Sequence, residues 1–131
     1  MLLHYTSPLT LAPSLSRPRY LLAATDQSRH VVYPVGGNAH ARLLVGHSAD
    51  EYSTPRAEWH PSGAFVVGSS QRDNAVRQWD VASERVVCEL EGHGKMVRDL
   101  HVGAGAGAAP LLATVSYDRT VRVWRAAPGV G

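Results

Sequence analysis

Residues 46–80 read GHSADEYSTPRAEWHPSGAFVVGSSQRDNAVRQWD, and residues 92–125 read GHGKMVRDLHVGAGAGAAPLLATVSYDRTVRVWR. The two stretches share one pattern. Each opens on Gly-His, passes a hydroxyl residue (Ser69 or Thr114) and an Asp (Asp73 or Asp118), and closes on Trp79 or Trp124. His47 and His93 are 46 residues apart, and the two Trp are 45 apart. In both copies the Asp lies six residues before the Trp and four after the hydroxyl residue.

Around these fixed points the chain reads as short strands broken by turn residues. Arg85–Leu90 alternates, with Val86 and Cys88 on one face and Val87 on the other. Ala64–Gly68 and Leu111–Val115 are apolar runs suited to strands buried on both faces, while Ala75–Val81 and Thr120–Val123 alternate toward a Trp. Turn residues separate them at Pro61–Gly63, Gln71–Asn74, Ala82–Glu84 and Tyr117–Arg119. In Glu58-Trp59-His60-Pro61 the Trp ends a first strand. No stretch has a helical period. Four short strands repeating at this interval imply an all-β fold of propeller blades.

A weaker copy precedes the two. Tyr20–Ala24, His30–Val35 and Ala41–Val45 fit its second, third and fourth strands, with a first strand expected around Leu9–Leu11. Tyr33 stands 46 residues before Trp79, and Pro34 replaces the following Asp. The expected domain is therefore one partial propeller over residues 1–131. It has a degenerate blade at about 8–46, a blade at about 47–92, an incomplete blade at about 93–126 that lacks its fourth strand, and a tail at 127–131.

Composition narrows the function classes. Apolar residues make up 44% and charged residues 18%, which suits a packed domain rather than a disordered chain. A net charge of +2 is too small to imply nucleic acid by itself. Cys88 is the single cysteine, so no disulfide framework or cysteine-based zinc site is expected, and a reducing compartment, cytoplasmic or nuclear, fits. The N-terminal stretch has no basic region and is broken by Pro8 and Pro13, so no secretory signal is read, and no apolar run is long enough to span a membrane. His4, His30, His40, His60 and His101 lack metal-ligand spacing, so neither metal nor cofactor is expected. The Gly/Ala run Val102–Pro110 lacks the Gly-Lys-Ser/Thr of a phosphate cradle and reads as a surface loop.

Residues Leu43 to Arg125 resemble the WD-repeat family, and Tyr20 to Leu43 do so more weakly. The resemblance implies two hydrogen-bonded tetrads: His47, Ser69, Asp73 and Trp79, then His93, Thr114, Asp118 and Trp124. An Asp accepts from a turn's backbone N–H groups, a His bridges it to a hydroxyl, and the hydroxyl reaches the indole N–H. A His/Asp/Ser set also suggests a hydrolase triad built on His93 and Asp118. The set occurs twice and ends on Trp, and no Gly-x-Ser-x-Gly elbow is present, so the structural reading is preferred and no enzyme is expected.

Family propellers have about four to eight blades, and three cannot close a ring. The chain thus reads as the C-terminal part of a longer propeller, a truncation in preference to a short form completed by missing blades or self-association. The resemblance implies a protein-interaction scaffold or adaptor subunit of a larger complex, with partners on one end of the blades. The residues before each turn Asp, Arg72 and Tyr117, and Arg98, five after His93, are the partner-binding candidates, with Tyr52 or Arg56 in the inserted stretch. Arg119, Arg122 and Arg125 suggest an alternative, a basic face on the last strand that holds nucleic acid. Ala82 and Ala127 stand where a ligase-docking Arg is found in some relatives, so that role gains no support.

Overall fold

The computed structural model describes residues 3–6, 19–25, 28–35, 41–48, 56–103 and 110–125. Within them the chain is all β, with eleven strands in three antiparallel sheets. The first sheet holds β1 (Leu3–Thr6), β2 (Arg19–Thr25), β3 (Arg29–Val35) and β4 (Arg42–Val45), in chain order. The second holds β5 (Ala57–Trp59), β6 (Phe65–Ser69), β7 (Val76–Asp80) and β8 (Arg85–Leu90). The third has three strands, β9 (Val97–Gly103), β10 (Leu111–Ser116) and β11 (Val121–Arg125). This is a partial propeller of meander blades. The strand that pairs with the outer side of β2 is Leu3–Thr6, whereas Leu9–Leu11 lies outside the described residues, as does most of the Gly/Ala run.

Alternation decides which side chains meet. In an antiparallel pair, residues opposite each other share a face and successive residues swap faces. Trp79 lies opposite Val66, and Arg77 opposite Gly68. That face packs on the first sheet, burying Trp79 and Val66 with Leu22, Ala24, Val32 and Leu44. The other face of the second sheet presents Val67 and Val76 to Val97, Leu100 and Leu112 of the third sheet. Each fully buried Val or Leu contributes about 1.5–3 kcal/mol. The sheets therefore stack face to face with one apolar seam at each junction. β8 is half-buried at Val86, Cys88 and Leu90 and exposed at Val87, as its alternation implies.

The Gly-His openings have a backbone cause. Gly46 and Gly92 take φ of 112° and 151°, a region that side chains with a Cβ avoid. A Cβ on Gly92 would lie 3.0 Å from the Arg122 guanidinium. Each glycine turns the chain so that the following His enters a blade junction, and both His47 and His93 are buried.

Candidate functional site

In the third sheet, four side chains form a continuous network. His93 Nδ1 lies 2.9 Å from Asp118 Oδ2, and His93 Nε2 lies 2.7 Å from Thr114 Oγ1. The Trp124 indole N–H donates to Thr114 Oγ1 at 2.9 Å. Asp118 also accepts from the backbone N–H groups of Gly94 and Thr120 and from the Thr120 hydroxyl. These bonds, with the Thr120 hydroxyl first, hold the Asp118 carboxyl well below the usual carboxylate range. An ionised Asp118 requires a donor at His93 Nδ1, so in the neutral ring Nε2 accepts from the Thr114 hydroxyl. Thr114 is fully buried and engaged by both rings, so no substrate reaches its hydroxyl.

The second sheet differs. His47 has no hydrogen-bond partner at either ring nitrogen, and neither does His30. The two rings stack on each other at 4.1 Å between centroids, and both meet Trp79 edge-on. The Trp79 indole N–H donates to the Val45 carbonyl at 2.7 Å. Asp73 pairs with Arg77, whose Nε also donates to Glu89 at 3.1 Å. Ser69 Oγ faces the backbone of Arg56. His47, Ser69, Asp73 and Trp79 therefore do not form the expected tetrad.

The cause is one residue of loop. The hairpin after β6 closes with the Ser70 N–H on the Ala75 carbonyl, while the hairpin after β10 closes with the Ser116 N–H on the Thr120 carbonyl. The second sheet's turn is one residue longer. Counted back from the Trp through the strand pairing, Gly68 occupies the place of Thr114, and Ser69 falls on the opposite face. With no side chain at Gly68, His30 fills the space: a Cβ there would lie 2.7 Å from His30 Nε2. In the second sheet the strand position matching His30 is held by Val76, which packs on the third sheet.

The expected basic face is also corrected. A strand places residues two apart on one face, so residues three apart cannot share it. Arg122 lies on the Trp124 face against Gly92, Arg125 sits on the opposite face, and Arg119 is in the turn with φ 69°. The three arginines do not form one ladder.

One end of the second and third sheets carries a different set of exposed groups. The chain entering each sheet is tied there to the hairpin turn: Gln71 N–H to the Ser48 carbonyl, Ser48 N–H to Ser70 Oγ, and Ser116 Oγ to the Lys95 and Met96 carbonyls. Arg72 and Tyr117 occupy the matching turn positions before Asp73 and Asp118, and both are exposed. The Arg98 guanidinium lies over the Tyr117 ring, 5.8 Å from its centroid. Such a contact at an exposed site contributes about 0.5–1 kcal/mol. Arg56 and Asp99 pair at 3.7 Å between the same two sheets. Tyr52 lies outside the described residues.

The model of the family described as WD domain, G-beta repeat matches residues 40–80 and 84–125. The chain belongs to the WD-repeat family. It is 25% identical over 115 residues to the nuclear distribution protein PAC1 of Candida dubliniensis, covering 88% of this chain and 23% of that one. It is 35% identical over 72 residues to the nuclear distribution protein nudF 2 of Aspergillus clavatus, covering 54% and 16%. It is 39% identical over 98 residues to the protein Notchless of Drosophila melanogaster, covering 74% and 19%. The chain thus spans less than a quarter of the length of these WD-repeat relatives.

Sequence reasoning missed His30, Gly68 and Arg77 as parts of the WD-repeat junctions. The strand pairing that faces His30 toward His47 depends on the exact register of β2 and β3, which the spacing of a lone histidine does not declare. Burial and the neighbouring His47 push the His30 imidazole well below its ordinary range. Burial, then the Arg77 guanidinium, lowers His47 to about 4, against the opposing pull of Asp73. Both rings are neutral at pH 7. No helix among the described residues is long and apolar enough to cross a membrane.

Proposed function

We propose that this chain is a non-catalytic, protein-binding scaffold element of a multiprotein complex, and that it engages its partner through the exposed end formed by Arg72, Arg98 and Tyr117. The contact between Arg98 and Tyr117 carries this reading. It presents an oriented guanidinium and a half-exposed phenol together, on a turn fixed from below by Asp118 and Ser116. Arg and Tyr are enriched among residues that dominate interface energies, because each combines a large apolar body with directional polar groups. Two exposed arginines on this end favour an acidic segment of the partner. Its WD-repeat relatives have names from nuclear distribution and, for SEC13 of Pyricularia oryzae, protein transport, which suits a role inside the cell.

A photo-crosslinking residue placed at 117, with a second chain labelled at Ser83 in the β7–β8 turn as reference, tests this in cells. The expected result is a partner captured from position 117 and not from 83, and lost when Arg98 is changed to Glu. Equal capture from both positions, or capture indifferent to Arg98→Glu, would overturn it.

A further inference from the structure

The crossing that leaves β4, Gly46-His47-Ser48, is tied by its last residue to the hairpin turn after β6. The Ser48 N–H donates to Ser70 Oγ at 3.0 Å, and the Ser48 carbonyl accepts from the Gln71 N–H at 2.8 Å. Ser70 also bonds Asp73, so these contacts hold the turn that carries Arg72. One residue earlier, the His47 ring stacks on His30 and meets the Trp79 indole edge-on, with no hydrogen bond at any of the four imidazole nitrogens. A proton on either ring places a charge in this buried stack, which is costly without a partner. The charged groups around it are already engaged. Asp73 in the turn and Arg77 on β7 bond each other, and Glu89 on β8 takes the Arg77 Nε. β6 presents Val66 and Gly68. From the first sheet, β2 and β3 present Leu22, Ala24 and Val32, and β4 presents Leu44 and Arg42, whose guanidinium donates to the Ala82 carbonyl.

We propose that this crossing is an acid-released latch: proton uptake by the stacked pair drives His47 out of the junction, and the turn bearing Arg72 loses its bonds to Ser48. His30 sits in β3, paired to β2 on one side and β4 on the other, so His47 is the ring that moves. The third sheet has a different tie at the matching place. There the His93 ring faces the Asp118 carboxylate at 2.9 Å, so a proton on that ring meets an opposite charge, and the Gly94 N–H stays on Asp118. Acid therefore frees the turn of Arg72 and leaves Arg98 and Tyr117 held. For a bound partner this is regulation by pH, a consequence that rests on the role proposed above for this end; the latch itself does not.

The test is amide hydrogen exchange on the full chain with no partner added, so its outcome is separate from that of the crosslinking. The Ser48 and Gln71 amides should exchange through a local opening, one that small additions of urea leave unchanged. Their opening constant, corrected for intrinsic exchange, should rise roughly twentyfold from about pH 7 to about pH 5. That factor belongs to one imidazole that titrates at 6.5 when free and at about 4 in the closed junction. The closed form holds its full advantage above 6.5 and loses it as the pH falls toward 4. The Gly94 and Tyr117 amides, bonded to Asp118 and to the Met96 carbonyl, should change little. His47→Phe keeps a flat ring without the titration and should abolish the rise at Ser48 and Gln71; the wild-type comparison decides the matter if that variant fails to fold. Protection of Ser48 and Gln71 that is flat with pH overturns the latch. So does an equal rise at Gly94 and Tyr117, a full rise retained in His47→Phe, or a urea-sensitive opening shared with the β6 amides, which means unfolding of the whole sheet.

Discussion

Lowering the pH from 7.5 to 5 should loosen the junction between the first and second sheets, through His30 and His47. His47 protonates at about 4 in the folded chain against 6.5 for an unburied imidazole. Its folded value lies below its unfolded value, so the unfolded chain takes up the proton first. The associated stability is intact above pH 6.5 and drains away as the pH falls toward 4. At 1.36 kcal/mol per pH unit, His47 alone removes roughly 2 kcal/mol by pH 5. His30, also lowered by burial and by His47, adds to this in the same direction. The charged groups around the pair are Asp73 and Arg77, and Asp73 is held at about 2, mainly by its bond to Arg77. It therefore titrates below this window, and so does Asp118. His60, lowered by partial burial, moves in the same direction as the pair and is kept in both proteins to be compared. The assay is urea unfolding followed by tryptophan fluorescence at several pH values, since Trp79 meets both rings edge-on. Wild type should lose more than about 2 kcal/mol between pH 7.5 and 5, a large share of an ordinary domain's 5–15. His30→Val, which places at this position the residue type of Val76, should lose less over the same range. A midpoint independent of pH, or equal losses in the two proteins, would refute the argument.

Three further outcomes follow from the same junctions. Thr114→Val leaves the Trp124 indole N–H and His93 Nε2 without their buried partner and should cost roughly 1–3 kcal/mol in urea unfolding, while Ser69→Ala should cost under about 1, because both Ser69 Oγ contacts are long, 3.3 Å from the Arg56 N–H and 3.5 Å to the Arg56 carbonyl. Gly68→Thr should destabilise by about 2 kcal/mol or more from overpacking, and the loss should shrink, though not vanish, in the double variant with His30→Val, because Trp79 still stands 3.0 Å from the added Cβ; the difference is measured as a coupling energy in a double-mutant cycle. Arg119→Asn should raise the thermal midpoint, gaining up to about 1 kcal/mol, because Arg119 holds φ 69° where Asn is better tolerated; an unchanged or lowered midpoint would contradict the strain.

The third sheet was legible from sequence because counting from Trp124 and counting from Thr114 give the same alignment. The second sheet was legible in its strands but not in its ties. The spacing of Ser69, Asp73 and Trp79 matches the repeat, yet the extra turn residue lies within that spacing and shifts only the strand before it. A count along the chain cannot show which side of a turn absorbs an insertion. It becomes visible only when Val66, and not Val67, is found opposite Trp79. The first sheet was legible through Tyr33 and its apolar runs. Its contribution of His30 was hidden because a lone histidine in a strand declares its face only through pairing. The arginines of β11 show the opposite error, since their spacing of three was read as a face that a strand does not have.

Histidine ring nitrogen shifts, recorded by proton–nitrogen correlation from pH 8 to 5, would probe directly whether one repeat builds two different ties. In its neutral form His93 should carry its proton on Nδ1, as its bonds to Asp118 and Thr114 require. The rings of His30 and His47 should remain neutral to pH 5 in the folded chain. A neutral His93 with its proton on Nε2, or a folded-state titration of either stacked ring near 6.5, would contradict the junctions described.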